Sequence, residues 1–271
     1  MDVDTHIEAI SREGRRLATA ASHAQLDDPI PWCPGWDTRE LLRHLSEIHL
    51  WAASHVARCA VREGVPEPAD LEAAWPDLAI FWPDDKALID YYLATNANLV
   101  AELESAPPDL ATWTFLPAPS PRQMWARRQA HETAIHRFDA ESATGSVSGF
   151  DPAFASDGID EILTAMAPRA RELPLESSVT MAISPNDVDD RWLVSLGPHG
   201  IETVRADGPA DLVLTGLASD LYLAVWNRGD DTAIVLTGDT TVLDTWRSRH
   251  QSRWPRTRDE DDARARAQAA R

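Results

Sequence analysis

Lysine is nearly missing from this sequence. Lys86 is the single example among 271 residues, so arginine supplies almost all the positive charge, and an anionic group on a ligand would be held by guanidinium. Cysteine is almost as scarce: Cys33 and Cys59 have no CxxC spacing, which argues against a disulfide framework and makes the cytoplasm the expected compartment. Long hydrophobic runs are absent too. The apolar stretches are short and broken by charges, and the acidic start Met1-Asp2-Val3-Asp4 leads into no apolar run, so neither a membrane span nor a secretion signal is expected. Basic charge is outnumbered, with 25 Lys and Arg against 44 Asp and Glu. The resulting formal charge of -19 repels nucleic-acid phosphates and anionic lipid, which removes both as general partners while leaving a buried pocket unconstrained.

What is present is enough apolar content, 44%, to fill one large domain or two of ordinary size. Residues 4–25 read as an amphipathic helix stopped by Leu26-Asp27-Asp28-Pro29. A Pro- and Gly-rich turn, Pro31-Trp32-Cys33-Pro34-Gly35-Trp36, then leads into a D-x-x-E capping box from Asp37 to Glu40. The second helix starts near Thr38 and runs to about Arg62, with Leu41, His44, Leu45, Ile48, Trp51, Ala52 and His55 along one side. Gly64 to Pro83 reads as a loop folded over the helices. Asp84 or Asp85 should cap a third helix of roughly 20 residues whose apolar face holds Leu88, Tyr91, Tyr92, Leu99 and Leu103. Ser120 followed by Pro121 marks the start of a fourth, which ends at Ser142-Ala143-Thr144-Gly145.

Four such helices without strand pattern between them predict an antiparallel four-helix bundle over 1–148. After Gly149 the period changes. Phe154 to Leu173 is helical, followed by five short strands at 178–183, 192–196, 201–205, 211–215 and 233–237, with helices near 217–227 and 240–249. The fold class is therefore α+β overall, with a smaller α+β domain over 149–255 and a charged, mobile tail over 256–271.

The chemistry concentrates in the fourth helix, where Glu132 and His136 lie one turn apart on one face. A carboxylate and a neutral imidazole suit zinc or a similar divalent metal, and a site with three protein ligands keeps a position open for reaction. The best third donor is His44, an imidazole interrupting the apolar stripe of the second helix. Glu-x-x-x-His alone is more often an ordinary surface pair, so the reading depends on convergence. His131 should point away from Glu132 and His136, His49 faces elsewhere than His44, and His55 lies three turns on, about 16 Å away. Arg128, one turn before Glu132, either orients it or is a plain surface arginine. Arg137 and Asp139 read as an exposed pair of little energetic weight. Cys33 and Cys59 read as packing residues. Among the eleven tryptophans, Trp36, Trp51 and Trp125 are near enough to the expected cleft to line it.

Cys33-Pro34-Gly35-Trp36-Asp37-Thr38, Leu42-Arg43-His44-Leu45 and His131-Glu132-Thr133-Ala134-Ile135-His136-Arg137-Phe138-Asp139-Ala140-Glu141 resemble the mycothiol-dependent maleylpyruvate isomerase family. So do Trp226-Asn227-Arg228-Gly229 and Val235-Leu236-Thr237-Gly238-Asp239. The resemblance covers most of residues 5–250, and its middle motif is the specific part. It implies a DinB-like bundle holding a divalent metal, most often zinc, through the residues matching His44, Glu132 and His136. It implies mycothiol as thiol co-substrate, its sulfur bound as thiolate for attack on a small electrophile, with Arg228 of the C-terminal domain as catalytic and cofactor-binding residue. Trp36, Trp51 and Trp125, lining the expected cleft, are read as cofactor-binding beside it. Where the family commonly has Gly-Arg, this chain has Asn227-Arg228. The reading ranks mycothiol S-transfer above maleylpyruvate-type isomerisation, in a monomer or homodimer with no nucleic acid or membrane partner. Its rivals are a hydrolase using metal-bound water and a non-catalytic carrier or regulatory protein using an apolar pocket of the second domain.

Overall fold

The computed structural model describes residues 1–57, 81–169, 173 and 175–249, so the expected reach of the second helix beyond Ala57, most of the loop before Pro83, Cys59 and the charged tail lie outside the described residues. These fall into two compact units, Asp2–Val147 and Ser148–Ser252. No described helix is long and apolar enough to cross a membrane.

The first unit consists of α1 (Val3–His23), α2 (Thr38–Val56), α3 (Leu88–Ser105) and α4 (Pro121–Thr144). Local chemistry sets three of the starts. Asp2, Asp37 and Ser120 each accept a backbone N–H from the first turn, from Thr5, Glu40 and Gln123. The start of α3 departs from expectation: Asp84 makes no capping bond, and a 3-10 turn at Asp85–Ala87 leads into the helix. The Asp85 carboxylate instead faces Arg39 and Arg43 of α2, a tertiary pairing that takes it from the cap. At the other end of α4, Gly145 at φ 71 accepts the left-handed conformation that lets the chain leave the helix.

Contacts fix the direction of each helix. His6 meets His131, and Glu13 and Arg16 meet Arg137 and Glu141, so α1 and α4 run parallel. Arg43 meets Asp85 and His49 meets Tyr92, so α2 and α3 also run parallel. The pairs oppose one another: Trp51 reaches back to Trp125, and Arg122 donates to the Leu103 carbonyl. The long connection between α2 and α3 is what permits two consecutive helices to share a direction. Leu17, Leu41, Leu42, Leu45, Leu88 and Tyr92 fill the core beneath the donor end of α4. Against it stands a buried ionic layer. Arg137 is fully buried and bonds Glu13 at 2.9 Å and Glu141 at 2.8 Å, which corrects the expectation of an exposed Arg137.

The second unit packs α5 (Pro152–Asp160) and α6 (Ala218–Val225) with a five-stranded sheet. The strands are β1 (Val179–Pro185), β2 (Trp192–Gly197), β3 (Gly200–Val204), β4 (Leu212–Gly216) and β5 (Val235–Gly238), in the order β3-β2-β1-β4-β5. All neighbours are antiparallel except β1 and β4. That parallel pair aligns Met181 with Leu212 and Ile183 with Leu214, all four fully buried. The helix predicted over 154–173 is α-helical only to Asp160, then continues as a π turn (Glu161–Met166) and a 3-10 turn (Ala167–Arg169). α7 (Thr241–Arg249) follows β5 and buries Trp246, whose indole donates to the Val225 carbonyl.

Asn227 sits where the chain leaves α6. Its N–H donates to the Ala224 carbonyl and the Arg228 N–H to that of Leu223, the paired bonds of a Schellman turn, which needs a left-handed residue between them. Asn227 supplies it at φ 58, the sole non-glycine positive φ among the described residues, and its amide adds a bond to the Arg247 carbonyl. Asparagine is the non-glycine side chain that best tolerates this conformation, so an asparagine here keeps the turn. Asn227→Ala should therefore cost about 1–2 kcal/mol and Asn227→Gly distinctly less, read from urea unfolding midpoints.

Candidate metal centre

The antiparallel crossing of α2 and α4 brings together three donors that are 88 and 4 residues apart in the chain. Glu132 Oε1 lies 3.1 Å from His44 Nε2 and 3.3 Å from His136 Nε2, and the three donor atoms lie within 4.8 Å of one another. A cation with ligand bonds of about 2.0–2.1 Å in tetrahedral array places its donors about 3.3 Å apart. The two separations from Glu132 are close to that edge, and the third lies within 4.8 Å, so these residues can converge on a divalent cation. Both histidines are nearly buried, and the Glu132 side chain is the more open of the three at 18% exposure.

Two of the three donors are held from behind. Arg128, one turn before Glu132, donates to its second oxygen, Oε2, at 2.8 Å. Asp139 is fully buried and takes the other ring nitrogen of His136, Nδ1, at 2.8 Å, leaving Nε2 to face the cluster. The Cys33 thiol donates to the same Asp139 oxygen at 3.3 Å. Asp139 thus belongs to the site and not to an exposed pair with Arg137, since one turn of helix carries its carboxylate inward beneath His136. The turn carrying Cys33 is closed by Trp36 N–H to the Cys33 carbonyl at 2.9 Å and by Ile30 N–H to that of Trp36 at 3.0 Å. It lays the Trp36 indole against both imidazoles, with ring centroids 4.9 Å from His44 and 5.8 Å from His136.

These contacts set the charges. Burial alone would raise the Glu132 carboxyl, but its bonds with His136 and His44 and the Arg128 charge outweigh burial and hold it well below the ordinary carboxylate range. Burial pushes the His44 imidazole down, only partly offset by Glu132, so it stays neutral near pH 7. For His136 burial is outweighed by Asp139 and Glu132, which raise it to about 9.

The other expected residues are placed as follows. His49 is fully buried and its Nε2 meets Thr133 Oγ1 at 3.0 Å, the hydroxyl in turn donating to the Gln129 carbonyl. Burial pushes His49 down to about 3. His131 packs edge to face against His6. Trp51 and Trp125 sit further along their helices. They join His55, Trp113 and Phe115 in an aromatic cluster, where His55 stacks on Trp125 at 5.1 Å and Trp113 is 54% exposed. Each tryptophan lies seven residues from a donor, on the same helix face and about 10 Å along the axis. Arg228, in the second unit, is buried and its guanidinium donates to the Trp226 carbonyl at 3.0 Å. One cavity of that unit is lined by Pro168, Ser178, Ser195, His199, Ile201 and Glu202 among others, a wall of mixed polar and apolar character. Asp139 and Cys33 are the site residues that sequence reasoning missed. The signal was available for Asp139, three positions after His136 and so on its face; for Cys33 no local pattern points across to α4.

In metal-free protein the His136 ring should titrate with a midpoint near pH 9, read by nitrogen-15 NMR of the imidazole, and Asp139→Asn should move that midpoint down. Because the folded value lies above the ordinary 6.5, protonated His136 contributes stability that is fully present below pH 6.5 and lost as pH rises through 9. Thermal midpoints of metal-free wild type minus those of His136→Gln should shrink across that window.

The sequence matches two family models: Mycothiol maleylpyruvate isomerase N-terminal domain over residues 7–141 and MDMPI C-terminal domain over residues 153–245. No curated protein matches it significantly. Among solved structures, the fold is similar to the crystal structure of a mycothiol-dependent maleylpyruvate isomerase, with TM-score 0.57 and 14% identity, covering 88% of this chain and 93% of that one. It is likewise similar to a histidine-to-alanine mutant of that isomerase, with TM-score 0.56, 13% identity and the same coverage.

Proposed function

The chain belongs to the mycothiol-dependent maleylpyruvate isomerase family, and on that premise we propose that it is a metal- and mycothiol-dependent enzyme acting on a small electrophile, with S-transfer ranked above cis–trans isomerisation. What carries the reading is the convergence of His44, Glu132 and His136 at the spacing of a tetrahedral cation site. Two imidazole nitrogens, with His136 giving up its proton as the cation binds, and one carboxylate suit zinc first among divalent ions. A cation held there supplies the charge that keeps a bound thiol, ordinarily with a pKa of about 8.5, as thiolate near neutral pH.

The chain's own residues do the rest. His44 and His136 present Nε2, the latter because Asp139 takes Nδ1. Trp36 walls one side of the donors and shields them from water. Trp51, partly exposed two helical turns away, offers a ring face to a sugar of the pseudodisaccharide, and Trp125, fully buried, supports it from beneath. Arg228 is assigned a carboxylate of the substrate, which a guanidinium grips by two parallel bonds. In S-transfer the thiol proton passes to solvent and the sulfur forms a bond to the electrophilic carbon, either as a leaving group departs with its bonding pair or as a double bond opens and its far carbon takes a proton from solvent. In isomerisation the same addition is followed by rotation about the new single bond and loss of the thiol.

His44→Ala should lose bound metal and thiol-dependent turnover together, while its helical circular dichroism stays within that of the wild type. In cobalt-substituted wild type, mycothiol should add a sulfur-to-cobalt charge-transfer band. Turnover without any thiol would favour the hydrolase. Retention of small-molecule binding by His44→Ala, with no turnover in wild type, would favour the carrier. Trp51→Ala should weaken mycothiol binding by about tenfold, the loss of one stacked ring at roughly 1–1.5 kcal/mol.

A further inference from the structure

We infer that Arg128 is a positioning residue that restricts Glu132 to a single-oxygen donor and thereby keeps a coordination position free for the thiol. The inference rests on the metal-site reading above. A carboxylate beside a divalent cation binds through one oxygen or through two, and two-oxygen binding consumes a position. At this site the two oxygens have separate partners. Oε1 faces His44 Nε2 and His136 Nε2, while Oε2 is turned away and bonded by Arg128 Nη2 at 2.8 Å. The constraint is stiff: donor and acceptor come from consecutive turns of one helix, and the Arg128 side chain is only 4% exposed. Arg128 also answers the buried charge of Glu132, and its bond to Oε2 fixes which oxygen faces the two imidazoles. With Asp139 behind His136 and Arg128 behind Glu132, two of the three donors are oriented by charged, buried partners, one of each sign.

The test begins with the full-length wild-type protein loaded with zinc. Zinc K-edge X-ray absorption without thiol should fit two imidazole nitrogens, one carboxylate oxygen and one water, four donors in all. A second carboxylate oxygen on zinc would overturn the proposal without any mutation. Arg128→Gln and Arg128→Leu should still take up cobalt, at least as tightly as the wild type. Their visible cobalt absorption should weaken several-fold, the mark of a fifth ligand, and mycothiol should bind the cobalt protein about tenfold or more weakly. Arg128→Lys, which keeps a cationic donor, should recover most of both signals. Wild-type absorption and wild-type mycothiol affinity in Arg128→Gln and Arg128→Leu would overturn the proposal and leave the metal reading standing. Failure of the wild type to take up zinc or cobalt would overturn both.

Discussion

A carboxylate inside a helical bundle is tolerated only where its charge is answered, and Glu132 is answered from three directions. Burial works against ionisation, while His44, His136 and Arg128 together more than offset it. That requirement couples two helices. α2 must cross α4 at the level where His44 Nε2 meets Oε1, and the Arg128 side chain must lie along α4 to reach Oε2. The same crossing places Trp36 over the imidazoles and leaves the aromatic cluster of Trp51, His55 and Trp125 two turns away. Site geometry and helix packing are one constraint.

The fourth helix is dense in polar residues because each faces a different neighbour. Glu132 and His136 face α2. Thr133 receives His49 of α2, Arg137 and Glu141 face Glu13 and Arg16 of α1, and Asp139 receives His136 and Cys33. Nearly all of these are buried, so the helix has polar contacts around much of its circumference and an apolar stripe only where Ala130, Ala134, Ile135 and Phe138 pack. Such layers are stable only when every charge has a partner, and Arg137 between Glu13 and Glu141 shows the pattern most plainly. An amphipathic reading of this helix assigns several of these residues to solvent, which is how Arg137 and Asp139 came to be expected at the surface.

Other departures from expectation have the same origin in tertiary competition. Asp85 is drawn to Arg39 and Arg43 across the bundle, so the third helix opens with a 3-10 turn and no side-chain cap. The helix after Pro152 keeps its α geometry for nine residues and then widens into a π turn where Leu163 and Ala165 are buried. At Asn227 the tertiary structure instead preserves what the sequence put in question: the turn needs a left-handed residue, and asparagine meets it.

The sequence by itself determined the helices and strands, most of their ends, and the pairing of Glu132 with His136. These depend on residues a few positions apart, where periodicity, capping side chains and Pro or Gly act directly. It also singled out His44 as an imidazole on an apolar stripe. Tertiary packing alone brings His44 and Glu132 to 3.1 Å across 88 residues, sets Asp139 behind His136 and Arg128 behind Glu132, and runs α3 with α2 and not against it. Those outcomes follow from the balance of buried charge over several helices at once, a quantity no local window of sequence contains.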